Sequence, residues 1–199
     1  MNSSGGIETP TLLVATPQVQ DPFFDHSVVL LLHHDDEGSF GFNLNRPTDL
    51  SVQEVLEGLE IPWNGDPDSH AYFGGPVQPQ LGSVLFLNSE NEPLPSPRMT
   101  ATAAEVYPGI RMTQHVDDLA LLAGEPPSGF RLYLGYAGWG AGQLVEEILR
   151  NDWIVVPVVS DLLFCSEPQS LWQLALQAAG VDPQTLPSWV PEQSQGESN

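Results

Sequence analysis

Lysine is absent from the 199 residues, and only five arginines (Arg46, Arg98, Arg111, Arg131 and Arg150) stand against 26 acidic residues. The missing lysine excludes Schiff-base catalysis on an internal amine and a P-loop lysine on phosphates. A formal net charge of -21 opposes direct binding to DNA or RNA, because affinity for a phosphate backbone comes mainly from cationic side chains displacing counterions. It opposes an anionic membrane surface in the same way. Cys165 is the only cysteine, so no intrachain disulfide and no CxxC metal site can form. The apolar runs are too short to span a bilayer, and Met1 to Pro10 lacks the positive and apolar regions of a signal peptide, so a cytoplasmic location is expected.

The acids that are present are spread along the chain, with Asp35-Asp36-Glu37 as the longest run. That distribution is expected to keep the surface soluble by repulsion rather than to form an acidic tail. With 41% hydrophobic residues, the length suits a single domain at 10–190, between flexible ends at 1–9 and 191–199.

Leu12 to Ala15 reads as a first strand. Ser27 to His34, with Val28-Val29-Leu30-Leu31-Leu32 unbroken, reads as a strand buried on both faces. The turn Asp35 to Ser39 leads into a partner strand, Phe40 to Leu44. Ser51-Val52-Gln53-Glu54 is a capping box that opens a helix from Val52 to Leu59, with Val55, Leu56 and Leu59 on its buried face. Strands are expected at Ala71 to Phe73, Ser83 to Leu87, Arg131 to Tyr136 and Trp153 to Val159. Thr113 is expected to cap a helix whose buried stripe is Val116, Leu119, Ala120 and Ala123. Further helices are expected at Gln143 to Arg150 and Leu171 to Ala179. These elements define an α+β fold, a single domain with a mixed β-sheet and flanking helices.

Several clusters have the residue types of chemistry without its spacing. Gly138, Gly140 and Gly142 give GxGxG rather than GxGxxG, with Trp139 where a pyrophosphate needs bare backbone, so a tight strand-to-helix turn is favoured over a dinucleotide site. His33-His34-Asp35-Asp36 holds metal-ligand types, but neighbouring strand residues face opposite ways, and a solvated hairpin turn is expected. Asp25-His26-Ser27 has the composition of a hydrolytic triad, yet adjacent side chains in an extended segment diverge. Glu146 and Glu147 read as a solvated helix face. No catalytic residue, metal site or cofactor is assigned. Arg46 either pairs with one of the many acids or anchors an anionic ligand through its bidentate fork.

Ala15-Thr16-Pro17, Asp21-Pro22-Phe23-Phe24-Asp25-His26-Ser27-Val28-Val29, His34, Gly38 and Asn45-Arg46-Pro47 together resemble the YqgE/AlgH family of small bacterial proteins. The resemblance continues through Gly74-Gly75-Pro76-Val77, Leu134 to Trp139, Gly142-Gln143-Leu144, Glu147-Ile148, Trp153 and Pro157. It covers Leu12 to Pro187. Val145 departs from it, because the family pattern has glutamate there, and this chain either lacks that group or uses Glu146. The resemblance implies a single α+β domain with a mixed sheet and no settled catalytic activity. Some members carry a transcriptional-regulator label, against which the scarcity of bases argues here.

The favoured reading is a non-catalytic interaction or regulatory protein. Its ligand or partner surface is expected at Asp21, Pro22, His34, Asn45, Arg46, Pro47, Gly74, Gly75, Pro76, Gly138, Trp139, Gln143 and Glu147, which fall mostly in turns at strand ends. The alternative is a small-molecule site or an enzyme that uses Arg46 as anion anchor with His34 or Glu147 as the acid-base group. The expected partner is accordingly an unidentified protein or a small anionic ligand, with no nucleic acid and no membrane.

Overall fold

Strand β9, Arg131–Gly140, organises the molecule, because both halves of a curled sheet are hydrogen-bonded along it. The computed structural model describes residues 6–88 and 93–186. The tail expected at 191–199 and most of the one at 1–9 therefore lie outside the described residues. One half of the sheet contains β1 (Thr11–Ala15), β2 (Val28–Asp35), β3 (Gly38–Asn43) and β10 (Trp153–Val156). The other contains β4 (Pro47–Ser51), β5 (His70–Phe73), β6 (Val77–Leu87), β7 (Ala104–Tyr107) and β8 (Ile110–Thr113). The main path runs β10-β1-β2-β3-β9-β6-β8-β7, and β4 pairs with β5. Every pairing is antiparallel except β5 with β9, so the sheet is mixed. Among the described residues, six α-helices complete the α+β domain: α1 (Val52–Glu57), α2 (Met99–Thr102), α3 (Val116–Gly124), α4 (Gln143–Leu149), α5 (Ser160–Leu163) and α6 (Pro168–Ala178).

Side-chain alternation along the strands sorts the interior into one inner and two outer cores. Leu12, Val14, Val28 and Leu30 face inward onto Leu163 of α5 and Leu171, Trp172 and Leu176 of α6. Leu13, Ala15, Val29 and Leu31 face outward to Trp139, Trp153 and Leu144 of α4. That two-sided burial is why β1 from Leu12 onward and the start of β2 are apolar at every position. On the other half, Val84, Phe86 and Leu132 meet Val52 and Leu56 of α1, Met99 of α2 and Leu119 and Leu122 of α3.

β9 serves all three cores because its alternation shifts by one residue at Gly135. Before it, Leu132 faces the α1–α3 side and Tyr133 the inner core; after it, Tyr136 lies on the inner core while Ala137 and Trp139 face α4. Gly135 has a φ of +67°, and Gly74 and Gly75 press against this part of the strand. A methyl on Gly75 would collide with the backbone of Tyr136 and Ala137, and one on Gly135 with the Gly75 carbonyl. The Gly74-Gly75 motif is thus a close backbone crossing, buried among strands.

Several elements differ from the sequence expectation. β9 continues through Gly138-Trp139-Gly140, so these residues are strand and not a turn; the chain reverses afterwards, at Gly142 with φ +75°. β6 begins at Val77 and extends well before Ser83. Thr113 ends β8 instead of capping a helix, and α3 starts after His115. Its hydroxyl is taken by buried Asp118, donating to Oδ2 at 2.7 Å. The buried stripe accordingly runs through Asp118, Leu119, Leu122 and Ala123, while Val116 is exposed. The Ser51–Glu54 capping box is present, but α1 stops at Glu57, so Leu59 is exposed.

Arg131 enters the inner core as a buried cation. Its guanidinium donates to the carbonyls of Leu44, Leu163 and Cys165 and lies over the Tyr72 ring, 4.6 Å from the centroid. Tyr133 beside it is fully buried, and its hydroxyl has no hydrogen-bond partner of good geometry. Burial pushes its pKa up to about 12, with the Arg131 charge opposing.

Two predictions follow from these buried groups. Gly135→Ala is expected to lower the unfolding free energy by at least about 2 kcal/mol, because left-handed backbone and a backbone collision act together. Gly82→Ala, whose new methyl would meet only Leu132 at 3.8 Å, is expected to change it little; urea unfolding of the two variants checks the contrast. Folded Tyr133 holds its proton to about 12, whereas an exposed tyrosine releases it near 10.0. Stability is therefore complete below pH 10 and falls as pH rises toward 12, since the unfolded chain sheds the proton first. Tyr133→Phe is expected to reduce that alkaline loss, read as urea midpoints at about pH 9 and about pH 11.

Candidate functional site

Most motif residues meet at the β1–β2 connection, residues 16–27. Asp21 opens its turn by accepting the Phe23 N–H on Oδ1 at 2.8 Å, and its carbonyl accepts from Phe24 and Asp25. Pro22 supplies a preset φ at the second position of that turn. Rings from the turn then dock on separate walls. Phe23 stacks on Phe73 at 5.5 Å, Phe24 meets Trp139 at 6.2 Å and Trp153 at 5.8 Å, and His26 packs edgewise on Trp172 at 4.4 Å.

Asn45-Arg46-Pro47 holds the same turn from the sheet. Asn45 Oδ1 accepts from Val28 N–H and its Nδ2 donates to the His26 carbonyl, both at 2.9 Å. Arg46 donates from Nη2 to the Asp25 carbonyl, and Pro47 opens β4 opposite Tyr72. Fully buried Asn43 donates to the Phe23 carbonyl and to Ser27 Oγ. Sequence reasoning missed Asn43, because an asparagine ending a strand carries no motif of its own.

Asp25 and His26 also depart from the sequence argument. They do not diverge: His26 has a φ of +52°, which turns its ring back so that Nδ1 lies 2.5 Å from Asp25 Oδ1. Ser27 is buried, with its hydroxyl donating to the Phe23 carbonyl and accepting from Asn43, so no triad forms.

On α4, Glu147 is a junction and not a solvated carboxylate. Its Oε2 accepts from the indole N–H of both Trp139 and Trp153, each at 2.8 Å, and its Oε1 accepts from Gln143 at 2.9 Å. Gln143 in turn accepts from the Gly140 N–H that ends β9. Glu146 is exposed, and Val145 is partly buried. Arg150 beside this cluster is paired with Asp152 at 2.7 Å, whose hydrogen bond and charge raise the arginine pKa.

Three concavities take in seven of the candidate residues, while Pro22, His34, Pro47, Gly74, Gly75 and Pro76 line none of them. One of about 350 Å³ includes Asp21, Trp139, Gln143 and Glu147. One of about 400 Å³ includes Asn45 and Arg46. The third, about 600 Å³, is a groove over Phe40, Val77, Leu81 and Tyr136, edged by Asp35 and Glu37 and reaching Gly138 and Trp139. Gly138 leaves its floor open, since a methyl there would press at 3.3 Å on Tyr136 and Val77. His34 bonds Ser39 across the hairpin at 2.7 Å, and His33 bonds Asp35 at 2.8 Å. Asp35 also accepts from the Glu37 and Gly38 amides; the Glu37 bond is the main cause that holds its pKa below 3.8. Among the described residues, no group of three or more His, Cys, Asp or Glu side chains is placed to hold a metal ion.

An acid-base site combining Arg46 with His34 is not formed. β2 separates them: Asn45 bonds the first residue of that strand and His34 lies near its last, roughly 20 Å away at about 3.3 Å per residue. Glu147 and Arg46 likewise line different cavities.

The curled mixed sheet, the plug of α5 and α6 and the pinned β1–β2 turn define a class of small α+β domains. Residues 12–184 match the AlgH-like family model, DUF179. The chain belongs to that family. It is 37% identical over 178 residues to a UPF0301 protein of Myxococcus xanthus, covering 89% of this chain and 93% of that one. The solution structure of the AlgH protein from Pseudomonas aeruginosa superposes with a TM-score of 0.71 at 32% identity, over 92% and 94% of the two chains. A crystal structure from Corynebacterium diphtheriae shares the fold, with a TM-score of 0.70 at 23% identity and coverage of 86% and 87%.

Removing the shared acceptor tests the Glu147 junction. Glu147→Ala is expected to cost about 2 kcal/mol or more, because two nearly buried indole N–H groups lose their partner. Glu147→Gln keeps an acceptor oxygen and is expected to cost less. Urea unfolding, with both indole N–H resonances followed by NMR, checks the order.

Proposed function

We propose that this protein is a non-catalytic interaction protein that holds a basic segment of a partner protein in the groove between the β2–β3 hairpin and β6. The carrying observation is the composition of that groove: an aromatic and aliphatic floor of Phe40, Tyr136, Val77 and Leu81 under an acidic edge of Asp35 and Glu37. An apolar floor supplies affinity, and the edge selects charge and register. The titratable groups there are arranged for binding, since His33 and Asp35 are engaged with each other. With 26 acids against five arginines, a basic partner is the complementary one, and a direct grip on DNA is disfavoured. The lone unpaired cysteine supports action in the cytoplasm. The motif residues of the β1–β2 turn and α4 serve this reading as the scaffold that fixes β9 beneath the groove.

A peptide array screened at low salt tests it. Peptides with an aromatic residue beside Lys or Arg are expected to bind, and more weakly as salt is raised. Glu37→Lys and Tyr136→Ala are each expected to weaken binding about tenfold or more. No binding by the unaltered protein, or binding by either variant as tight as that of the unaltered protein, refutes the proposal.

A further inference from the structure

At the other end of β2 from the groove, a cavity of about 400 Å³ lies between the Asp25-His26 turn, Arg46 and α6. We propose that it binds a small 2-hydroxy carboxylate, with the carboxylate on Arg46 and the hydroxyl on His26. The inference is independent of the groove, with which this cavity shares no lining residue.

Arg46 is a cation without an acid. In a chain with 26 acidic residues, it has no carboxylate within ion-pair distance among the described residues. Among the described residues its bond to protein is the one from Nη2 to the Asp25 carbonyl, and its buried Nε has no partner. A guanidinium with uncommitted donors in a cleft is matched in shape and charge by a planar carboxylate.

Asp25, the acid of the cavity, is committed to His26. An ionised carboxylate can only accept, so this bond is made by a proton on Nδ1, and in the neutral ring Nε2 is then a lone-pair acceptor. Nε2 has no hydrogen-bond partner among the described residues. The ring is held in place by its edge contact with Trp172, whose indole N–H is anchored on the Ala15 carbonyl at 2.7 Å. Gln169 and Gln173 of α6 add amides on the far wall.

With the His26 ring neutral, the cavity therefore presents a charged donor and an acceptor on adjoining elements. A simple carboxylate satisfies only the first. A carboxylate with a hydroxyl on the next carbon satisfies both, because its O–H donates where the imidazole lone pair waits. Sites built to receive a hydroxyl discriminate strongly against analogues that lack it.

NMR titration of the full chain tests this with lactate, propanoate and inorganic phosphate as probes, following the His26 ring and Trp172 indole resonances. Lactate is expected to give saturable shifts at both, and propanoate and phosphate to bind about tenfold more weakly or worse. Arg46→Gln is expected to abolish the lactate response. Because Arg46 also holds the turn, Gln173→Glu provides a second variant that places repulsive charge in the cavity without touching the turn; it is expected to weaken lactate about tenfold. The proposal is overturned if lactate produces no saturable shift, if propanoate or phosphate matches it, or if Gln173→Glu binds lactate unchanged.

Discussion

The backbone crossing at Gly74, Gly75 and Gly135 is the constraint on which the remaining architecture rests. There β9 changes which face its side chains address, and one strand can then contribute Leu132 to the α1–α3 core, Tyr133 to the inner core and Trp139 to the α4 core. Without that shift Trp139 would face α5 and α6, and Glu147 would lose one of its two indole donors. The β1–β2 turn would then lose a wall, because Phe24 packs on Trp139 as well as on Trp153. A left-handed glycine deep in a strand thus reaches, through three contacts, the turn that shapes the cavity at Arg46.

The parts of this arrangement that were legible in the sequence are those written in local patterns. The apolar run of β2, the Ser51–Glu54 capping box and the amphipathic α6 depend on neighbours a few residues away, and each is found at its expected place. The α+β class followed from them. Gly138, Gly140 and Gly142 misled because three glycines so close together ordinarily mark a turn, whereas here the first two lie inside a strand and Gly138 relieves crowding along the groove floor. Thr113 misled for a similar reason: its hydroxyl has a tertiary partner, Asp118, that no short window reveals.

The candidate site divided along the same line. Asp21, Asn45 and Arg46 were found through their motifs, and the structure shows Asp21 and Asn45 turned inward to hold the β1–β2 turn, with Arg46 giving it one bond. The Asp25–His26 contact was invisible, because it depends on a positive φ in a non-glycine residue that sequence gives no means of assigning. The double acceptance by Glu147 was hidden too, since Trp139 and Trp153 are brought together only by sheet pairing. The geometry thus shifts attention from the turns as a displayed surface to the concavities that the turns hold open.

Burial of Arg131 changes how the molecule presents itself to its surroundings. One of only five positive side chains is withdrawn behind carbonyls and ring faces, where it balances no acid on the outside. The exterior keeps the other four arginines among most of the 26 acids, and it must carry a dense cloud of small cations. Any partner that displaces that cloud gains the entropy of the released ions, a driving force set by the salt around the protein as much as by the contacts it makes.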